Sequence, residues 1–270
     1  MPQFHETHRY AYPVATTGST GAWLGETGMT VCEFHGDAAL AFLTQTGGAD
    51  DVVYLKPCCD VEWARHATPA GRNTISALAF NPITKRIWCG YSIDDRTIVS
   101  AFEVGTGVET FALDLAATSN SYGGTGLATN GMVFARGSFE TIELFTMNGN
   151  KLGERTYPGR NVEGITASPW SWTFVDSNAG EIVIINPFGV EIATVPGVGS
   201  AGGMGAIAFD TYSDPDFMPQ LYDGTNCNLG DPGTLFHYDT DWSPQPLLQR
   251  HRLYVANTID QIIYAGYLTA

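Results

Sequence analysis

The amino-acid sequence predicts an all-β fold: a six-bladed β-propeller with four antiparallel strands per blade, its ring closed by N-terminal and C-terminal strands paired in one shared blade. Three observations predict it. The stretch TIELFTMNGNKLGE (141–154) is matched in pattern by EIVIINPFGVEIAT (181–194): an apolar strand, a turn with glycine at the same place, and a second strand. The segments upstream of these copies repeat as well, giving a unit of about 40–45 residues, the length of one four-stranded blade. No long stretch carries the apolar period of an amphipathic helix, which disfavours α/β folds.

The repeat justifies each element in turn. Residues 97–110, TIVSAFEVGTGVET, follow the scheme of the two opening copies: a branched apolar strand, a turn with Gly107, then a second strand. Gly149 and Gly189 hold the same turn position, where glycine supplies positive φ, so each copy reads as a β-hairpin. Upstream lie ISALAFNPITKRIWCGYS (75–92), TGLATNGMVFARGS (125–138) and VEGITASPWSWTFVDS (162–177). Each gives a small-and-apolar strand, a turn and an aromatic-rich strand, and proline presets φ in two of the turns. These units define blades at 74–115, 123–157 and 161–198. A weaker copy at 29–68 supplies MTVCEFH, AALAFLT, DVVYLK and DVEWARH; another at 203–252 carries a long insertion at 210–233. The sixth blade joins 253–270, where QIIYAGYL parallels RIWCGYS, to 8–25 at the other end. Closure of this kind removes free sheet edges.

Composition agrees. Of 270 residues, 44% are apolar, enough for a large core, and only 15% are charged, below the ~25% of an average domain. The 31 glycines suit a turn-rich β protein. Net charge is −15 without any Lys/Arg cluster, which argues against nucleic acid as a partner and leaves the acidity a role in solubility. No apolar run approaches the ~18 residues of a membrane span. MPQFHETHRYAYPV lacks a basic segment followed by an apolar one, so no secretion signal is expected and synthesis is expected in the cytoplasm. Of the five cysteines, Cys58 and Cys59 are adjacent, awkward for a mutual disulfide, while Cys32 and Cys89 sit in apolar strand patterns as small core residues. A reduced environment is the simplest reading.

The blade unit, with its inner GLA, central FV, then TI, F and G, resembles the blades of six-bladed propellers of the NHL-repeat and SMP-30/gluconolactonase-like group. The resemblance implies architecture. It also implies an axial divalent cation held by Glu, Asn and Asp from different blades, oxygen ligands that suit Ca²⁺ or Mg²⁺. Glu163 stands where that group's glutamate would begin an inner strand, but comparable positions offer Ser76, Thr125 and Gly203, and no Asn/Asp set accompanies Glu163. No cofactor is therefore expected; Glu163 reads first as a rim carboxylate and second as a metal candidate.

The remaining candidates are few. Asp210, Asp214 and Asp216 could reach one cation, Ca²⁺ by their chemistry, yet the insertion lacks the spacing of an EF-hand loop. His5 and His8 form HExH rather than HExxH, and alternate faces of a strand separate them; His35, His66, His237 and His251 are scattered. No G-x-S-x-G elbow occurs, and the Gly-rich stretches at 122–126 and 199–205 lack a phosphate-loop lysine. Trp170 and Trp172, at the turn in SPWSW, are candidates for binding a protein partner or a glycan.

The expected function is a non-catalytic structural or docking propeller within a larger assembly. Its Gly/Thr-rich, weakly charged composition resembles that of bacteriophage virion components of the tail or head. The alternatives are a metal-dependent lactonase-like hydrolase with a cation on the axis, and a carbohydrate-binding host-recognition module.

Overall fold

The computed structural model describes residues 3–11, 28–46, 49–56, 61–67, 75–93, 96–115, 126–167, 171–197, 204–209, 253–257 and 262–269. Among these residues there are twenty strands and no helix long and apolar enough to cross a membrane.

Four sheets are each cut from one continuous stretch. The first holds β2 (Met29–Phe34), β3 (Asp37–Thr46), β4 (Ala49–Lys56) and β5 (Val61–Ala67). The second holds β6 (Ile75–Asn81), β7 (Arg86–Ile93), β8 (Arg96–Glu103) and β9 (Glu109–Leu115). The third holds β10 (Gly126–Thr129), β11 (Val133–Ser138), β12 (Thr141–Thr146) and β13 (Lys151–Thr156). The fourth holds β14 (Val162–Ala167), β15 (Trp172–Asp176), β16 (Glu181–Ile185) and β17 (Glu191–Pro196). A fifth sheet combines β18 (Met204–Phe209), β19 (Leu253–Asn257) and β20 (Ile262–Thr269) with β1 (Gln3–Ala11) from the other end of the chain.

All neighbours in a sheet are antiparallel, and the first four sheets grade from dry inner strands to wetter outer ones. In the third sheet β10 is buried at every position and β13 exposed at every position. Near the axis both faces of a sheet press on neighbouring sheets, so inner strands read as short apolar runs; toward the rim the sheets diverge. Five apolar clusters fill the five gaps. One joins Leu40 and Phe42 to Ala206 and Ala208, and the next joins Tyr54 and Cys32 to Phe80 and Cys89. Trp88 and Val99 meet Phe134 and Phe145; Ile142 meets Phe174; Val175 and Ile184 meet Ile207 and Val255. Cys32 and Cys89 are thus buried in the core, outside any disulfide.

The propeller stands, but the count of six blades is corrected: the described residues form five sheets, not six. The segments assigned to separate fifth and sixth blades belong to one. Strand β18 pairs with β19, from Met204 opposite Asn257 to Phe209 opposite Leu253. Strand β20 pairs with β19 on one side and with β1 on the other, Tyr10 opposite Ile263. Residues 210–252, which hold the insertion at 210–233 and the remainder of the blade expected at 203–252, come between β18 and β19 in sequence; they lie outside the described residues. So do 12–27, with the turn expected at Gly18.

The inner strands explain why five fit. In order, β2, β6, β10, β14 and β18 each contact the next, and β18 contacts β2. They approach so closely that one level of the ring admits only glycine or alanine: Gly28, Ala77, Gly126, Gly164 and Ala206. A Cβ on Gly164 would lie 2.7 Å from Ala206 Cα and 2.9 Å from Ile207 N, and those on Gly28 and Gly126 would strike the backbone of Leu78 and Glu163.

The repeated hairpins lock adjacent blades at the rim. At the β8–β9 turn, Gly107 has φ +69 and its missing Cβ would stand 2.5 Å from His66 Nδ1 at the end of β5. The β16–β17 turn is organised by Asn186, whose side-chain oxygen accepts from Phe188 N (2.9 Å) and Val190 N (3.0 Å). Tyr157, just past β13, donates its hydroxyl to Gly189 O at 3.0 Å. Each turn therefore leans on the final strand of the blade before it, and this shared contact is why the hairpin sentence recurs.

Candidate functional site

The inner strands enclose a cavity of about 280 Å³ around the axis, lined by residues of all five, from Met29 and Val31 through Leu78, Thr129 and Ile165 to Phe209. Among the described residues its lining side chains are apolar apart from Thr30, Thr129, Thr166 and Asn130, and none of these is charged. Thr30 Oγ1 accepts from Phe80 N of the next blade at 3.2 Å, and Thr166 Oγ1 accepts from Phe209 N at 3.1 Å. These hydroxyls bridge neighbouring inner strands while facing the cavity. Asn130 closes the β10–β11 turn, its side-chain oxygen accepting from Met132 N and Val133 N.

Glu163 lies toward the opposite end of β14. Its Oε1 accepts from Asn161 Nδ2 (2.9 Å) and Ser177 Oγ (2.8 Å), and Asn161 Nδ2 also reaches Ser177 Oγ at 2.7 Å. Within its own blade Glu163 has Asn161 beside it, and Asp176 joins Asn161, whose backbone N donates to Asp176 Oδ1 at 3.0 Å; these neighbours come from the same blade and not from the inner strands of different blades. Asp176 is buried and pairs with Arg160 at 3.1 Å, which also reaches Glu181 (2.9 Å) and Glu191 (2.8 Å). This network fastens the 157–161 connection to the fourth blade. Among the described residues no group of three His, Cys, Asp or Glu is placed to hold a metal.

The other sequence candidates fall as follows. Trp172 is 6% exposed and packs with Ile142 and Phe174 between the third and fourth blades, so it presents no face to a glycan or partner. Trp170, Asp210, Asp214, Asp216, Thr125 and Gly203 lie outside the described residues. Ser76 is on β6, and His5 and His8 are on β1.

Two polar clusters escaped the sequence reading. Arg136 and Glu143 are opposite each other on β11 and β12 and are 1% and 4% exposed; Arg136 Nε donates to Glu143 Oε2 at 2.9 Å, and Lys151 Nζ reaches Glu143 Oε1 at 2.8 Å. The Arg136 guanidinium also stacks over the Phe145 ring, 4.8 Å from its centroid. Burial pulls Arg136 below its ordinary range, and Glu143 partly restores it. In the first sheet His66 is buried; its Nδ1–H donates to Ala67 O (3.2 Å), which leaves Nε2 to accept from Tyr54 OH (2.9 Å). Burial lowers the His66 pKa.

The rim carries exposed large apolar side chains, among charged ones, on three consecutive blades. Val108 and Phe111 are exposed on the second blade, Leu152 on the third, and Val190, Ile192 and Phe188, the last 85% exposed, on the fourth. Strand β13 shows why: it has no exterior neighbour, and its side chains alternate between two open faces.

No protein-family model matches the sequence, and no curated protein matches it significantly. Among solved structures, the crystal structure of Myxococcus xanthus glutaminyl cyclase aligns with a TM-score of 0.59 at 11% identity, over 99% of this chain and 97% of that one. Virginiamycin B lyase from Staphylococcus aureus aligns at 0.48 with 12% identity, over 90% of this chain and 65% of that one. BamB from Moraxella catarrhalis aligns at 0.36 with 15% identity, over 96% and 62%. At such identities the first likeness speaks for the fold alone, and the others fall too low to carry an argument. From its own sheets and this shared architecture, the chain is a β-propeller.

Proposed function

We propose that this chain is a non-catalytic docking propeller, a component of a larger protein assembly, with the tail or head of a bacteriophage particle as the setting its composition suits. The observation that supports the reading is the set of large apolar side chains exposed on the rim. Large apolar side chains standing open on three neighbouring blades are characteristic of surfaces covered by another protein. Covering them would gain ~25 cal/mol per Å² of apolar area removed from water. Phe188 on its hairpin has the form of an anchor that fills a partner's pocket. The test is recovery of the protein in purified particles at fixed stoichiometry, compared with F188D and I192D variants that melt as the parent does. Exclusion of the variants supports docking through this rim; equal incorporation, or recovery only as a free monomer, overturns it.

A second reading is favoured by the polar group at Glu163. A carboxylate beside an amide and a hydroxyl is the beginning of an oxygen-rich cation site, and a lactonase-like hydrolase would need one on the axis. Elemental analysis of the purified protein and of E163Q decides it: stoichiometric Ca²⁺ lost in the variant supports this reading, and its absence in the parent ends it.

A further inference from the structure

The innermost strand of each blade has a free edge, and that edge faces the axis. Its register determines which backbone groups point there. Leu43 N donates to Gly28 O at 3.0 Å, so Gly28 and Leu43 form a hydrogen-bonded pair. Counting along the ladder, Val31 opposite Leu40 is a pair of the other kind, and Val31 turns its N–H and C=O away from β3. Phe80 opposite Ile87, Thr129 opposite Phe134, Ala167 opposite Trp172 and Phe209 opposite Leu253 occupy the same level. All five residues line the cavity.

At two of these five positions the amide meets a threonine hydroxyl from the preceding blade, Thr30 for Phe80 and Thr166 for Phe209. At the other three the corresponding residue of the preceding blade is alanine: Ala208 before Val31, Ala79 before Thr129, Ala128 before Ala167. Those three amides are turned to the cavity itself, each beside its own carbonyl. Met29, Leu78, Leu127 and Ile165 supply apolar walls.

We infer that this cavity is a binding site for a small uncharged molecule that carries an amide or lactam group on an apolar body. An amide holds a donor and an acceptor side by side, which is what an open strand edge pairs with. A carboxylate would meet carbonyl oxygens along with the N–H groups, and an ammonium would meet no anion among the described lining residues; either charge would lose its hydration without compensation there. The volume of about 280 Å³ lies just below the ~300–1,000 Å³ of ordinary ligand pockets, so the ligand is small. The inference is independent of docking at the rim.

The experiment titrates para-fluorobenzamide into protein with isotope-labelled Met and Ile methyls, read by NMR. Methyl shifts are expected at Met29 and Ile165 and not at Ile142 or Ile182, which are buried elsewhere in the core. The matched anion para-fluorobenzoate and cation para-fluorobenzylammonium are expected to leave Met29 and Ile165 unmoved. A79T and A128T add the hydroxyl that Thr30 and Thr166 already provide, and each should weaken the amide about five-fold, the effect of one neutral hydrogen bond. T166S, which keeps the hydroxyl, should bind as the parent does. If the benzamide leaves Met29 and Ile165 unmoved at millimolar concentration, or if the charged probes bind as well, the inference fails. The methyl map of the parent protein decides this even where a variant does not fold.

Discussion

Gly164→Ala tests the ring of inner strands most directly. The added methyl would stand 2.7 Å from Ala206 Cα, 2.9 Å from Ile207 N and 3.0 Å from Ala206 C. Nonbonded carbons settle at about 3.5–4.0 Å, so β18 must retreat by most of an ångström. The obstacle is backbone, already held in its ladder with β19, and no rotamer change can relieve it. Overpacking of this kind costs about 1–3 kcal/mol. Replacing glycine also restrains the unfolded chain, which returns about 0.4–1 kcal/mol. The net loss is about 1–2 kcal/mol, and at ~2–4 °C per kcal/mol for a chain near this size the melting temperature should fall by about 4 °C. The control is Gly153→Ala on β13, where a Cβ meets nothing within 4 Å; only the unfolded-state effect remains, and a gain of up to ~1 kcal/mol is expected. Urea denaturation and thermal scanning of both variants give the comparison. Equal stability of G164A and G153A would refute the argument that inner-strand approach determines the blade number.

Three further outcomes follow from the same structure. G107A and G36A both place alanine at positive φ, +69 and +87, but only the first meets a neighbour, His66; G107A should be the less stable of the two by about 1 kcal/mol or more, and equal melts would remove the hairpin lock. Glu143→Gln leaves the buried Arg136 without its anion and should cost about 3 kcal/mol, whereas Glu154→Gln at the exposed Lys151 pair should cost under ~1 kcal/mol in the same denaturation series. Burial disfavours the charged form of His66 and holds its folded pKa below the ordinary histidine value of about 6.5, so the unfolded state binds the proton more readily. Its contribution is complete above about pH 6.5 and is lost as pH falls from there through the folded pKa; H66F should lack this part of the pH dependence, and parallel stability curves for parent and variant would contradict it.

Local order was legible and long-range order was not. The hairpin around 139–140 already puts Arg136 opposite Glu143 by arithmetic, yet their burial depends on how closely the second blade packs against Phe134 and Phe145. Trp172 sits beside a turn in sequence and looked available, but its strand is an interior one with both faces covered. Glu163 was visible as a lone carboxylate; Ser177 reaches it only because β15 runs back antiparallel to β14. A signal for five blades was present and unread: the small residue of the inner ring occurs five times, in GMT, ALA, GLA, GIT and AIA, and LYVAN at 253–257 does not open with one.

By itself the sequence determined the strands, their turns and the propeller class, because a period of two and turn chemistry act between residues a few positions apart. Tertiary structure decided how many blades there are, which strands share the last sheet and what faces the axis. Strand pairing depends on backbone edges that any sequence presents alike, so β18 can reach past residues 210–252 to β19, and β20 can accept β1, without a local pattern that announces either partner.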